Sequence, residues 1–259
     1  MRSVARLSIT PVKSMQLQHP AGVRLERFGV AEDRRFYVVD ADGRLLSGPA
    51  HDRLFPVKAE YDPSAERLAL RFPGGGTVEG EVAAVRGPTV GTSFWGRPVA
   101  GREVAGPWAM ALSDHVGSPV RLVRTDRPGQ AVDSHAVSIF STASAEELDR
   151  QAGRSDRPLD RRRWRMLVEV AGSAAHEEDG WVGRRVRIGE ATVEVIRTDP
   201  RCRITTLDPD TGFREFDTLK VIAAYRGADP EGGLPFGVYA EVVEPGAVRV
   251  GDPVHPLPS

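Results

Sequence analysis

A mainly β chain with a few short helices, an α+β fold in two domains, is what these 259 residues predict, and three observations carry the prediction. The first hundred residues alternate apolar and polar positions between Gly, Pro and Asp, the pattern of short half-buried strands joined by turns. Helix signals are few and brief, each bounded by a cap or a glycine. The length suffices for two units that each bury a core, and the texture changes near Gly106. The expected division is an all-β domain over 1–105 and a second β domain with helices over 106–259.

Taken in order, Arg35-Phe36-Tyr37-Val38-Val39 and Arg44-Leu45-Leu46 flank Asp40-Ala41-Asp42-Gly43, a hairpin signal because glycine supplies the positive φ of a tight turn. Lys58 to Tyr61 and Arg67 to Phe72 form a second hairpin around Asp62-Pro63, and Gly74-Gly75-Gly76 reads as another turn. Strands are expected at Thr89 to Trp95 and Arg97 to Val104, split by Gly96. Pro107 to Val116 with Gly117 reads as a short helix, proline at its start and glycine past its end. Strands at Val120 to Arg124 and Ala136 to Phe140 precede Ser144-Ala145-Glu146-Glu147, whose Ser/Glu spacing caps a brief helix. The arginines between Arg150 and Arg165 read as solvated loop charges leading into a strand at Trp164 to Val170. Strands at Arg185 to Ile188 and Thr192 to Ile196 deliver the chain to Arg201-Cys202. A capped helix over Asp217 to Gly227 and strands at Phe236 to Val243 and Ala247 to Val250 complete the chain.

Composition excludes several classes. Net charge is −1, with 40% hydrophobic and 27% charged residues, which makes no case for nucleic acid or an anionic membrane. No apolar run approaches the roughly 18 residues that span a bilayer, and Met1 to Arg6 lacks a signal peptide's apolar core. A single cysteine removes disulfides and Cys-x-x-Cys motifs and fits the reducing cytoplasm. Positive charge is nearly all arginine, with only Lys13, Lys58 and Lys220 as lysines, a bias that genomic base composition explains as readily as phosphate or carboxylate recognition.

That cysteine, Cys202, stands between Arg201 and Arg203. Flanking positive charge eases deprotonation, and a soft thiolate is the side chain a soft transition metal selects. The alternative is a small buried hydrophobe. A nucleophilic cysteine needs a histidine partner, and the spacing of His19, His51, His115, His135, His176 and His255 picks out none. Asp208-Pro209-Asp210-Thr211-Gly212 lacks the oxygen spacing of a calcium loop, and the triple glycine lacks the Lys-Ser/Thr of a P-loop. Glu177-Glu178-Asp179 reads as a solvated loop.

Eight short motifs in order give a resemblance. Pro11-Val12-Lys13-Ser14, Asp33-Arg34, His176 to Trp181, Arg201-Cys202, Asp208 to Gly212, Phe236-Gly237, Glu244-Pro245-Gly246 and Val250 to Val254 follow the order seen in MOSC-domain proteins. These are relatives of the molybdenum cofactor sulfurase C-terminal domain, and the chain is most similar to the branch of the mitochondrial amidoxime-reducing component and its bacterial counterparts. The resemblance implies an N-terminal MOSC-associated β domain, a C-terminal MOSC β-barrel, and a pterin-dithiolene molybdenum cofactor in the cleft between them. It also implies Cys202 as the metal's protein ligand and Lys13, Ser14, Arg34 and Arg165 as holders of the pterin and phosphate. Ser134, His135, Arg201 and Tyr239 fall at further contact positions. Arg34 could instead serve only as a partner for its acidic neighbourhood, and Lys13 as an edge-strand solubility charge.

The chain departs from the family pattern at Met166-Leu167, where relatives carry Pro-Asn, and at Met15, where many carry cysteine. It has no further cysteines for an iron–sulfur cluster, so electrons are expected from a separate ferredoxin- or flavin-type donor protein. The expected activity is reduction of N-hydroxylated compounds such as hydroxylamines, amidoximes and hydroxylated base analogues. Two other readings stand beside it: a carrier of cofactor, or of sulfur as a persulfide on Cys202, and a scaffold that binds neither.

Overall fold

The structure is a computed structural model that describes residues 1–82 and 88–258. In the first part of the chain lie β1 (Ser3–Leu7), β2 (Gly22–Leu25), β3 (Phe36–Asp40), α1 (Gly48–Asp52), β4 (Lys58–Asp62), β5 (Arg67–Arg71), β6 (Thr77–Glu81), β7 (Thr89–Phe94) and β8 (Arg97–Glu103). Then follow α2 (Trp108–Val116), β9 (Val120–Thr125), β10 (Val137–Ser141), α3 (Thr142–Gln151), β11 (Val168–Ala171), β12 (Arg185–Ile188) and β13 (Ala191–Pro200). The chain closes with α4 (Thr218–Tyr225), β14 (Pro235–Glu244), β15 (Gly246–Arg249) and β16 (Val254–Pro256). The fold is mainly β with a few short helices, as the alternation predicts.

Seven strands form one sheet in the order β1-β11-β10-β14-β13-β12-β16. A bridge from Ser3 to Pro253 brings its two edges together, so the sheet curls almost into a closed barrel. Alternate side chains point inward, and Leu7, Val168, Ile139, Val238, Val193 and Val186 fill the interior with no solvent exposure. Each such burial stabilises the fold by roughly 1.5–3 kcal/mol. The parallel pair β10 and β11 is joined through α3, since parallel neighbours need a crossover connection.

A second core lies between the four-stranded sheet β3-β9-β8-β7, the three-stranded sheet β4-β5-β6 and α2. Helix α2 buries Trp108, Leu112 and Val116, and the Trp108 indole N–H donates to the Leu68 carbonyl at 3.2 Å. Gly106, at φ 146°, is required there because a Cβ would lie 2.3 Å from the Trp108 ring. The chain crosses between the cores more than once: β1 belongs to the barrel sheet and β9 to the smaller one.

Local details differ from the expectations in four places. Trp164 ends a 3-10 turn over Arg161–Trp164 rather than opening a strand, because the Asp160 carboxylate caps it and Arg165 adopts φ 53°. Helix α3 is capped by Ser141, whose Oγ accepts from the Ser144 N–H at 3.0 Å, one turn before the expected cap. Glu178 is fully buried, not solvated; it accepts from the Ser141 N–H at 3.1 Å and the Ser144 hydroxyl at 2.7 Å. Arg163 is 1% exposed, donating to the Thr205 carbonyl at 3.1 Å and pairing with Glu215, so that one arginine of the basic stretch is structural.

Candidate functional site

Between the cores opens a cleft of about 1110 Å³. Its walls are placed by two irregularities of the backbone. The segment 10–13 runs beside 34–36, with the Arg34 N–H donating to the Thr10 carbonyl and the Lys13 N–H to the Phe36 carbonyl, so Lys13, Ser14 and Arg34 converge. On the opposite core, β13 shifts register against β14 between Val195 and Arg197 and again between Thr198 and Pro200. Bulges of this kind re-aim side chains, and here they turn Arg197 and Asp199 into the cleft. Pairing ends where Pro200 faces Pro235, two residues without an N–H to donate, and the chain leaves the sheet at Cys202.

All nine residues singled out from the sequence line this one cleft: Cys202, Lys13, Ser14, Arg34, Arg165, Ser134, His135, Arg201 and Tyr239. The Cys202 thiol is exposed, not a packed hydrophobe. Its carbonyl accepts from the Thr205 N–H at 3.2 Å, starting the 3-10 turn Arg203–Thr206. Both flanking arginines are matched by carboxylates. Arg201 pairs with Asp199, and Arg203 makes two hydrogen bonds to Asp52 at 2.8 and 2.7 Å.

Lys13 is 7% exposed, which rules out a solubility role on a strand edge; its ammonium donates to the Ala131 carbonyl at 3.0 Å and to Asp133 at 2.7 Å. Burial pulls its pKa below the ordinary lysine value, against the attraction of Asp133. Arg34 does pair with Asp33, and it also donates to the Arg165 carbonyl at 3.2 Å, so it serves the cleft wall as well as its neighbour. Arg165 is different. It donates to the Met15 carbonyl at 2.8 Å and lies 4.9 Å from the centre of the Phe55 ring, yet no carboxylate among the described residues is within ion-pairing distance. Burial, with Arg34 adding repulsion, holds its guanidinium down to about 9.

Four of the six non-glycine residues with left-handed backbone among the described residues line the cleft: Ser14, Arg34, Trp95 and Arg165. Such conformations cost about 1–3 kcal/mol each and cluster where a site over-determines them.

Sequence reasoning passed over Asp199 and did not single out His51 from the other histidines. Asp199 is 1% exposed, one carboxylate oxygen has no hydrogen-bond partner, and burial pushes it up to about 6 despite Arg201. Tyr239, raised by burial and by Asp199, stands beside it, and the His135 ring packs 5.3 Å from the tyrosine's. His51 accepts or donates at 2.7 Å to the Ser14 hydroxyl and meets Asp52 at 3.2 Å. Only the Asp-Pro step before Arg201 could have flagged any of these, because the partners come from distant segments.

The arrangement suits an anion that brings its own metal. No group of three or more metal-ligating side chains occurs among the described residues, so the protein offers one soft sulfur donor and a wall of buried cations. The unpartnered Arg201 Nε and Asp199 oxygen, and the unmatched charge of Arg165, are donors and acceptors a ligand would satisfy. A pterin-dithiolene molybdenum group with its phosphate fits this set.

A family model for the MOSC domain matches residues 125–255, and one for the MOSC N-terminal beta barrel domain matches residues 1–119. Mitochondrial amidoxime-reducing component 1 of Mus musculus is 26% identical over 285 residues, 98% of this chain and 82% of the relative. Mitochondrial amidoxime reducing component 2 of Macaca fascicularis is 28% identical over 295 residues, 98% of this chain and 83% of the relative. Among solved structures, the YUAD protein from Bacillus subtilis is similar over 98% of this chain and 96% of that one, with TM-score 0.43 and 14% identity.

Proposed function

This chain belongs to the MOSC family, carrying both the N-terminal barrel domain and the MOSC domain, and from that premise we propose that it is a molybdenum-cofactor oxidoreductase reducing N-hydroxylated compounds. One observation carries the reading: an exposed lone thiol shares a cleft with the half-buried Arg165 guanidinium, which has no carboxylate within ion-pairing distance among the described residues. The names of the relatives supply the reaction class.

In this reading Cys202 is the protein's thiolate ligand to molybdenum. Lys13, Ser14, Arg34 and Arg165 hold the pterin and its phosphate, with the arginine forks fixing orientation. Ser134, His135, Arg201 and Tyr239 complete the wall. When bound, the cofactor supplies the two-electron chemistry by which R–NHOH, two electrons and two protons become R–NH2 and water. Asp199, which burial pushes up to about 6 beside the Tyr239 hydroxyl, is mostly ionised against Arg201 at pH 7 and takes up a proton in the cleft wall as the pH falls through 6. Arg203, clamped by Asp52, fixes the turn that presents the thiol.

Electrons come from a separate donor protein, and the small N-hydroxylated substrate enters from the open side of the cleft. No helix among the described residues is long and apolar enough to cross a membrane; we assign the chain to the reducing cytoplasm because its one thiol must stay free.

The test is metal and pterin analysis of protein made in a cofactor-competent host, with Cys202→Ala alongside. Molybdenum near equimolar, turnover of an N-hydroxylated substrate with a reductant, and loss of both in a folded Cys202→Ala variant are the expected results. Retained turnover in a metal-loaded Cys202→Ala variant overturns the ligand assignment. Tight cofactor binding with transfer and no turnover would identify a carrier instead, and absence of molybdenum a scaffold.

A further inference from the structure

Strands β7 and β8 are joined by two residues, Trp95 and Gly96, both with positive φ, 53° and 87°. That is the two-residue hairpin turn in which Asn-Gly is favoured, because asparagine tolerates left-handed backbone. A bulky residue there is an outlier. Trp95 also leaves its side chain 77% exposed, whereas Trp108, Trp164 and Trp181 are 0%, 1% and 2% exposed. Tryptophan at this position serves neither the turn nor a core.

The indole is nevertheless held. Its N–H donates to Asp133 at 3.3 Å, and the same carboxylate oxygen accepts from Lys13 at 2.7 Å inside the cleft. Arg97, the next residue after the turn, donates to the Gln130 and Val132 carbonyls at 2.8 and 2.7 Å and ties the hairpin tip to the cleft rim. The ring is thus anchored by its edge while its surface stays open, and Trp95 lines the cleft together with Leu45, Leu46 and Gly91. At Gly91 an added Cβ would meet nothing within 4 Å, so the wall next to this hairpin is open. An anchored, exposed aromatic face on the rim of an otherwise cationic cleft accepts a flat conjugated group, because offset stacking gains attraction that an alkyl chain does not match.

We infer that Trp95 is a specificity-determining residue, a platform on which the flat aromatic part of an N-hydroxylated substrate stacks. The inference rests on the functional reading above and goes further by selecting aryl over alkyl substrates.

Trp95 is the one exposed tryptophan among the described residues, and the part of the fluorescence that Trp95→Asn removes is its own. Benzamidoxime and acetamidoxime are titrated into the full chain as purified, without electron donor, and into Trp95→Asn. Benzamidoxime is expected to quench, acetamidoxime to do so far less, and the substitution to remove the difference. With electron donor, the ratio of KM for benzamidoxime to KM for acetamidoxime should rise about three- to tenfold in Trp95→Asn, the range expected of one aromatic contact. The thermal midpoint of the variant should equal or exceed the parent's, since asparagine suits the turn. Equal quenching by both compounds, an unchanged KM ratio, or a lowered midpoint with parallel loss toward both substrates overturns the inference. Quenching that depends on Trp95 in protein without molybdenum or turnover would sink the functional reading while leaving the platform in place. Molybdenum-loaded, active protein with no Trp95-dependent quenching would do the reverse.

Discussion

Replacing Arg165 with methionine separates stability from ligand binding, because the two should move in opposite directions. The guanidinium is largely buried, has no carboxylate within ion-pairing distance among the described residues, with Asp133 and Asp33 attracting it only from farther off, and is held down to about 9, well below the ordinary arginine value. At pH 7 it is charged in both the folded and unfolded chain, so the fold bears the whole cost of burying it, and that cost is flat across neutral pH. The gap in proton affinity corresponds to at most ~5 kcal/mol, discounted to ~4 for residual solvent access. Against this stand the hydrogen bond to the Met15 carbonyl and the contact with Phe55, together ~2–3 kcal/mol. Arg165→Met should therefore stabilise cofactor-free protein by ~1–2 kcal/mol, a rise of roughly 2–6 °C in Tm for a chain of this length. The same variant should bind inorganic pyrophosphate about 10- to 100-fold more weakly, since a charge-assisted hydrogen bond to an anion contributes ~1.5–3 kcal/mol. Thermal melts and calorimetric titration of the cofactor-free protein read both quantities. A variant that melts lower and binds pyrophosphate unchanged would mark Arg165 as structural and refute the reasoning.

Glu178→Ala strands the Ser141 N–H in a closed interior and leaves the Ser144 hydroxyl only Ser141 Oγ to donate to, so unfolding by urea should show a loss of ~1–3 kcal/mol. An unchanged midpoint would show the carboxylate to be idle. His176 accepts from Arg226 at 2.9 Å and lies 3.1 Å from the Tyr225 hydroxyl, and burial, then Arg226, lower its pKa to about 4. The unfolded chain takes up a proton between pH 6.5 and 4 that the fold resists, so this contribution is complete above 6.5 and is lost on acidification. Stability should fall by ~1–2 kcal/mol from this group between pH 7 and 4.5, after allowance for partial exposure, and His176→Asn should flatten that part of the profile. Identical pH profiles for the two proteins would contradict it.

The local elements were legible because their causes are local. The turn at Gly43, the glycine stop after α2, the cap at Asp217 and the alternation of Arg185–Ile188 each depend on neighbours a few residues apart. Where a distant group intervened, the reading slipped: Glu178 looked solvated because its partners, Ser141 and Ser144, lie more than thirty residues away. Trp164 is the exception, a local cause that apolar pattern hides: its character suits a strand, yet the nearby Asp160 carboxylate caps a 3-10 turn there.

The site divides the same way. Residue chemistry pointed to a single soft sulfur between two arginines, while Lys13, Ser14, Arg34 and Arg165 were reached through the resemblance to MOSC-domain proteins, whose motifs are written in the order of amino acids. Which charges remain free was decided by the tertiary structure. Arg201 and Arg203 spend theirs on Asp199 and Asp52, while Arg165 is left unmatched, and Asp199, His51 and Trp95 enter only because bulges, a tight hairpin and a short helix bring them to one cleft. The physical reason is that identity sets what a group can donate or accept, whereas burial and partners supplied across the chain set whether it is available to do so.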